Sequence, residues 1–137
     1  MASQPAEVTS DFCEIRTFVR GAHAYQEHWQ PRTGQMLNLK REPENCRDKC
    51  TVAILKADGT IVGYIPYNFA PLISSFLARD CNKGMVEITG ERVNRGAGYG
   101  LEVPCVYRLY GPQKYIQRLE GMLSRLRERS LLPESSD

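Results

Sequence analysis

The fold of this chain is decided by ten residues that join two strand-like runs: Lys40-Arg41-Glu42-Pro43-Glu44-Asn45-Cys46-Arg47-Asp48-Lys49. A simple β-hairpin needs only about two to five turn residues. Pro43 fixes its own φ, while the side chains of Asn45 and Asp48 can hydrogen-bond nearby backbone and hold the loop in one shape. The stretch therefore predicts a stiff, charged loop on a strand scaffold, which is where binding residues tend to lie.

The segments on either side of this loop are typical of β-strands. Apolar and polar residues alternate in Gln35–Arg41, and Thr51–Leu55 is β-branched and apolar. Asp58-Gly59 is a strong hairpin signal, so the strand after it is expected to pair with the strand before it. The expected strands are Glu14–Gly21, Gln35–Arg41, Thr51–Leu55, Ile61–Ile65, Met85–Val93 and Leu101–Tyr110.

Two helices complete the predicted elements. Apolar residues recur at helical spacing in Phe69–Arg79 and again after Pro112. The element order is β-β-β-β-α-β-β-α, a mainly β (α+β) chain. Short strands paired by hairpins favour a small, strongly bent sheet or partly open barrel of about six strands, covered by two helices. The order excludes an alternating βαβ parallel sheet.

Length and composition indicate one globular domain. The chain has 137 residues, of which 42% are hydrophobic and 25% are charged. We expect one domain over residues 12–129, with disordered tails at residues 1–11 and 130–137. No apolar run approaches the roughly 18 residues that span a bilayer, and the first residues lack the features of a secretory signal. We expect no membrane association.

The cysteines favour a reducing compartment. Their number is odd, five, and we read them as reduced thiols of an intracellular protein, nuclear or cytoplasmic. Cys13 and Cys105 lie in or beside strands and are expected to be buried. Cys46 and Cys50 could supply zinc ligands with His23 and His28, but the regular second ligand pair is missing. We therefore predict no metal and no cofactor.

Motifs of catalysis and nucleotide binding are absent from the sequence. The chain has no G-x-S-x-G, H-E-x-x-H or P-loop pattern. The glycines of 96–100 lack dinucleotide-binding spacing, and a strand follows them where a helix is required. The sequence therefore predicts a protein that is not an enzyme.

Two further features leave alternatives open. Tyr25 and Trp29 lie in the polar connection Ala22–Gly34, so they could be core residues or could stack on bases of single-stranded nucleic acid; composition favours neither. The basic residues of the 40–49 loop alternate with acidic ones, which is typical of a solvated, internally paired loop. The same mixture of signs also suits the end of a nucleic-acid strand, where Asp48 would accept a hydrogen bond from a sugar hydroxyl. The net charge of +2 neither demands nor excludes such a partner.

Several of these motifs together resemble a known family. Val19-Arg20-Gly21, the loop Leu39–Lys49 with its Glu-Pro and Asn-x-x-Asp pattern, and Val62-Gly63-Tyr64-Ile65 look like a HIRAN domain. Glu87–Gly90 and Glu102–Cys105 are similar to its closing strands. The resemblance covers about residues 15–111 and implies an OB-like β-barrel with attached helices.

The resemblance also implies a function. Members of the family occur on ATPases of replication-fork repair, where the domain binds single-stranded DNA and captures a free 3′-hydroxyl end. By position, Asp48 corresponds to the hydroxyl acceptor, Asn45 to its loop support and Tyr25 to a base-contacting aromatic. The expected nucleic-acid-binding residues are His23, Tyr25, Trp29, Arg41, Asn45, Arg47, Asp48, Lys49 and Tyr64.

The chain departs from the family pattern at three positions. His23 stands where the family has an arginine, Ala24 where it has an aromatic residue, and Arg47 where an aromatic residue sometimes precedes the loop aspartate. These departures support an alternative, a protein–protein interaction module on the same fold that has lost the DNA-end pocket.

Overall fold

Six β-strands form one curled antiparallel sheet in the computed structural model, which describes residues 11–25, 27–91, 93–94 and 101–135. A seventh, two-residue strand lies beside the sheet. The strands are β1 (Asp11–Val19), β2 (Met36–Arg41), β3 (Val52–Leu55), β4 (Ile61–Tyr64), β5 (Lys83–Ile88), β6 (Val93–Asn94) and β7 (Leu101–Gly111). The helices are α1 (Ala70–Leu77), α2 (Gln113–Ser135) and a 3₁₀ helix, Ala22–Tyr25.

The sheet curls until its two edge strands meet. Its order is β1-β7-β5-β2-β3-β4, while β6 pairs only with β7. All pairs are antiparallel. Beyond the end of β1, an isolated bridge joins Arg20 to Tyr64 of β4. The result is a half-barrel of six strands with two helices, which confirms the predicted fold class.

The inner face of the half-barrel is filled by the apolar residues that alternate along the strands. Ile15, Leu37, Ile54 and Tyr107 are fully buried there. Burying each such side chain contributes about 1.5–3 kcal/mol. Helix α2 covers this core with an apolar stripe made of Ile116, Leu119 and Leu123.

The hairpin between β3 and β4 has the predicted turn. The Lys56 N–H donates to the Thr60 carbonyl at 2.9 Å, and the Asp58 carboxylate accepts from the Thr60 N–H at 2.9 Å. Gly59 has a φ of 92°, a left-handed conformation that favours glycine. The Asp-Gly signal is therefore confirmed.

The two largest differences from the predicted element ends lie in β5 and α2. The strand expected over Met85–Val93 ends at Ile88. The next residue, Thr89, donates its N–H to the carbonyl of Pro104 in β7, but Pro104 has no N–H to donate in return. Helix α2 continues to Ser135, so the backbone of residues 130–135 is helical where a tail was expected. Residues 1–10 and the glycines of 96–100 lie outside the described residues. No helix in the described part of the chain is long and apolar enough to cross a membrane.

Candidate functional site

The loop between β2 and β3 is closed at its neck and organised by one amide side chain. The Glu42 N–H donates to the Thr51 carbonyl at 2.9 Å, which extends the β2–β3 pairing. Asn45 Oδ1 accepts from the backbone N–H groups of Arg47 (2.9 Å) and Asp48 (3.3 Å). Asn45 Nδ2 donates to Glu42 Oε1 at 3.1 Å. The prediction that Asn45 holds this loop in one shape is confirmed.

Asp48 uses only part of its hydrogen-bonding capacity to hold the turn. Its Oδ1 accepts from the Cys50 N–H at 2.8 Å, and its backbone carbonyl accepts from Thr51 Oγ1 at 2.7 Å. Within the described part of the chain, Oδ2 has no hydrogen-bond partner. The carboxylate is therefore fixed in position by one oxygen and can accept a hydrogen bond through the other.

An arginine held against two tyrosines lies across from Asp48. Arg20 Nε donates to the carbonyl oxygen of Ile65 at 3.0 Å. The Arg20 guanidinium carbon lies 3.8 Å from the ring centroid of Tyr67 and 5.3 Å from that of Tyr64. These contacts leave the outer N–H groups of the guanidinium in a fixed orientation, which suits recognition of a phosphate.

Two tyrosine hydroxyls meet behind this arginine. The Tyr25 and Tyr64 hydroxyls are hydrogen-bonded at 3.3 Å, and the ring centroids lie 6.4 Å apart. This hydrogen bond, with a smaller contribution from burial, raises the pKa of Tyr64 from 10.0 to about 12. Tyr64 is therefore neutral across the physiological pH range and presents an uncharged aromatic ring.

These groups line one cavity of about 370 Å³. Loop residues form one wall, and residues from the ends of β1 and β4 form the other. Tyr25 reaches the cavity through Tyr64. The lining residues are Arg20, Asn45, Arg47, Asp48, Thr51, Tyr64 and Tyr67. The structure thus brings four of the nine predicted site residues together.

The other predicted residues lie elsewhere. Trp29 is 3% exposed and packs in the core, with Nε1 donating to Gln35 Oε1 at 3.1 Å, so its ring faces cannot stack on a base. Arg41 turns toward α1, where its Nε donates to Ser74 Oγ at 3.2 Å. Lys49 is exposed and does not line the cavity. The side chain of His23 lies outside the described part of the chain.

Three lining residues were missing from the sequence prediction: Thr51, whose hydroxyl is bonded to the Asp48 carbonyl, Arg20 and Tyr67. Arg20 is the last residue before Gly21, which has a φ of 76° and turns the chain out of the sheet. Tyr67 is 66% exposed and lies between Pro66 and the start of α1. An aromatic residue directly after a strand-ending proline was a usable signal. The position of Arg20 opposite the loop depends on closure of the sheet, so neighbouring residues in the sequence do not predict it.

The cavity carries an excess of positive charge. In the described part of the chain, Arg20, Arg47 and Asp48 form no ion pair with any residue. Two unpaired guanidinium groups attract an anion, while the single carboxylate accepts a hydrogen bond and would repel a phosphate placed against it. The arrangement can hold a ligand that combines a phosphate, a hydroxyl and a flat ring.

Metal ligation has little support in this geometry. Among the described residues, no three His, Cys, Asp or Glu side chains are grouped closely enough to hold a metal ion. Cys46 and Cys50 are free thiols. Cys13 and Cys105 are buried as predicted, and burial raises the pKa of the Cys105 thiol to about 12, which keeps it protonated.

Known structures share this fold. The crystal structure of the HIRAN domain of human HLTF is similar over 86% of this chain and 93% of that chain, with a TM-score of 0.68 and 18% identity. An NMR structure of the HLTF HIRAN domain in its DNA-bound conformation has a TM-score of 0.59 and 18% identity over 82% of this chain and 87% of that one. A crystal structure of a protein from Lactobacillus plantarum has a TM-score of 0.52 and 18% identity, over 73% and 97% of the two chains.

Comparison of the sequence with known families identifies the family of this chain. No curated protein matches the chain. The family model of the HIRAN domain, in contrast, matches residues 13–101, which include the organised loop, the Arg20–Tyr64 bridge and most of the sheet. HIRAN domains have an OB-like fold, as the half-barrel described above does. The chain belongs to the HIRAN domain family.

Proposed function

We propose that this chain is a non-catalytic module that binds single-stranded DNA and seats a 3′ end in the Asp48 cavity. One observation carries the proposal. The cavity holds a carboxylate oxygen of Asp48 that is free to accept a hydrogen bond, together with two arginines that have no acidic partner in the described part of the chain. The DNA-bound conformation of the HLTF HIRAN domain, which has the same fold, supports DNA as the ligand class.

The carboxylate, the guanidinium groups and the exposed ring of the cavity have separate roles in this proposal. Asp48 Oδ2 accepts a hydrogen bond from the terminal 3′-hydroxyl. Arg20 and Arg47 contact the phosphates of the last nucleotides, and the exposed ring of Tyr67 stacks on a base. Stacking of a base on an aromatic side chain contributes about 1–3 kcal/mol. A replication-repair setting and a nuclear or cytoplasmic location belong to the same proposal, because they follow from the family resemblance and the reduced cysteines.

The departures from the family pattern bear on which residues do this work. His23 and Ala24 do not supply the arginine and aromatic residue that the family has at their positions. In this chain Arg20 and Tyr67 lie at the cavity and supply the same two chemistries. This substitution in space is the reason for preferring DNA over the alternative, a protein-interaction module.

Binding of oligonucleotides that differ only at the 3′ end tests the proposal. We expect a 5′-labelled single strand with a 3′-hydroxyl to bind more tightly than the same strand with a 3′-phosphate, measured by fluorescence anisotropy. Asp48→Asn keeps an oxygen for the Cys50 N–H and removes the negative charge. A hydrogen bond to a charged group contributes about 1.5–3 kcal/mol, so the variant should lose roughly 10- to 100-fold in affinity for the 3′-hydroxyl strand.

The hairpin offers a matched control. Asp58 uses one oxygen to accept from the N–H two residues on, as Asp48 does, but lies outside the cavity. Asp58→Asn should leave DNA binding unchanged. Equal affinity for the two 3′ ends would exclude the role of Asp48, and no binding to either strand at low salt would exclude DNA as the ligand.

A further inference from the structure

A second groove lies between the end of α1 and the start of α2. It has a volume of about 350 Å³ and shares no lining residue with the Asp48 cavity. Its polar and charged lining comes from Ser75, Arg79 and Asn82 on the α1 side and from Tyr115 and Arg118 on α2. None of these residues has a role in the site described above.

Three cations converge on one aromatic ring in this groove. The Arg79 guanidinium lies 4.6 Å from the ring centroid of Tyr115, the Lys114 ammonium 5.0 Å and the Arg118 guanidinium 5.8 Å. In the described part of the chain none of the three forms an ion pair with a carboxylate. Arg79 and Arg118 both line the groove, so a polyanion lying in it can contact both and gains more than it would from isolated surface lysines.

The groove is held in shape from below. Asn82 is 4% exposed, and its Nδ2 donates to the Phe76 carbonyl at 2.9 Å. Tyr115 packs against the hydrophobic core. Stacking on this fixed ring orients a guanidinium, while its N–H groups remain available in their own plane for a phosphate.

Helix α1 lies between residues of the groove and residues of the Asp48 cavity along the chain. Tyr67, in the cavity, comes just before α1, and Arg79, in the groove, comes just after it. The eight residues of α1 span about 12 Å, which about four stacked nucleotides cover at roughly 3.4 Å each. Arg41 lies alongside the helix between the two sites, bonded to Ser74. A strand leaving the cavity along α1 would meet basic side chains at both ends and at the middle.

We propose that the Tyr115 groove binds backbone phosphates of the same DNA strand whose 3′ end occupies the Asp48 cavity, about four nucleotides upstream of that end. This inference rests on the proposed function. The ligand is a phosphodiester backbone without sequence preference, because the groove offers cations and one ring but no row of groups that could read base edges. The position of the groove at the far end of α1 from the Asp48 cavity favours the strand proposed for that cavity over an acidic protein segment.

Strand length is the variable that tests this inference. Single strands of about four and about twelve nucleotides, each 5′-labelled and ending in a 3′-hydroxyl, are titrated against the full chain at several salt concentrations. The longer strand should bind at least roughly tenfold more tightly. In Arg79→Glu/Arg118→Glu that gain should disappear while the short strand keeps its affinity. The salt slope for the long strand should fall by about 1.4, since each phosphate contact in a single strand contributes about 0.7.

A charge-matched variant distinguishes binding of DNA in the groove from attraction of DNA by the overall charge of the protein. Arg16→Glu/Arg127→Glu makes the same change in net charge at two exposed arginines outside both sites. It should keep most of the length-dependent gain. Thermal unfolding reports whether each variant is folded, and Arg79→Gln/Arg118→Gln replaces the glutamate pair if that pair unfolds.

The outcomes distinguish the two proposals. Equal affinity of the unmodified chain for short and long strands overturns the groove inference alone. Equal loss of the gain in both double variants overturns it as well. Poly-glutamate binding that needs Arg79 and Arg118, with DNA binding unchanged in the same variant, overturns it in favour of an acidic protein segment. No binding of either strand by the unmodified chain overturns the proposed function and, with it, this inference.

Discussion

Arg20 and Tyr64 exchange both of their backbone hydrogen bonds. The Arg20 N–H donates to the Tyr64 carbonyl at 2.7 Å, and the Tyr64 N–H donates to the Arg20 carbonyl at 2.8 Å. This one pair joins the end of β1 to β4, the two edges of the curled sheet. It also fixes both side chains on the wall of the Asp48 cavity, so closure of the half-barrel and assembly of the site are the same structural event.

Gly63 makes this closure possible. A Cβ built on Gly63 would overlap Val19 Cγ1 and lie 3.0 Å from the Arg20 carbonyl oxygen. Gly63→Ala should therefore force β4 away from β1 and lower the free energy of unfolding by about 1–3 kcal/mol, the usual cost of overpacking. Urea unfolding followed by circular dichroism measures the change.

Gly121→Ala is the matched control for this prediction. On α2 the nearest heavy atom to the new methyl group is 3.9 Å away, and alanine is about 0.8–1 kcal/mol more favourable than glycine inside a helix. The control should be more stable than the unmodified chain. A Gly63→Ala protein as stable as this control would show that the closure does not need glycine.

Local sequence patterns were sufficient to predict the strands, the hairpin and the organised loop. Each depends on neighbouring residues, such as the alternation in β2 or the Asp-Gly turn. The Arg20–Tyr64 pair joins residues that are far apart in sequence, and no local pattern encodes it. For the same reason, Arg20 and Tyr67 were missed as partners of Asp48 although the loop that carries Asp48 was found.

Trp29 shows a second limit of prediction from local sequence. Its sequence neighbours are polar, so composition left core and base-stacking interpretations open. The structure buries its ring in the hydrophobic core, where Gln35 accepts a hydrogen bond from the indole N–H. A polar neighbourhood in sequence therefore does not predict the surroundings of a large ring once the chain turns.

The fluorescence of Trp29 is expected to report a buried side chain. It is the only tryptophan of the chain and is 3% exposed. Its emission should resist quenching by iodide in the native protein and become quenchable in urea. Added single-stranded DNA should leave its intensity nearly unchanged, since bases cannot reach the ring. Strong quenching by DNA would instead place Trp29 in the binding site.

The titration of Tyr64 should depend on Tyr25. The hydrogen bond between the two hydroxyls is the main reason that the pKa of Tyr64 is raised from 10.0 to about 12. Tyr25→Phe should move this pKa back toward 10.0, as measured by tyrosinate absorbance, with Tyr64→Phe identifying the transition.

The sign of the effect on stability follows from the raised pKa. A raised pKa means that folding favours the neutral phenol, so the stabilisation is complete below pH 10.0 and fades as the pH rises toward about 12. The difference in unfolding free energy between the unmodified chain and Tyr25→Phe should shrink across that pH range. An unchanged Tyr64 titration in Tyr25→Phe would contradict the hydrogen bond.

Two substitutions of Arg20 separate its charge from its geometry. Arg20→Lys keeps the positive charge but loses the bond to the Ile65 carbonyl and the flat stacking on Tyr67. Single-stranded DNA should bind it several-fold more weakly, with the same dependence on salt. Arg20→Gln removes the charge, so the slope of log affinity against log salt should also fall by about 0.7, as for one lost phosphate contact.

Arg32 provides the control for the loss of one positive charge. It is exposed and does not line the Asp48 cavity. Arg32→Gln should leave both the affinity and the salt slope close to those of the unmodified chain. If Arg20→Gln and Arg32→Gln have equal effects, Arg20 acts only through the general field of the protein. If Arg20→Lys binds DNA as tightly as the unmodified chain, the stacked geometry on Tyr67 has no part in binding.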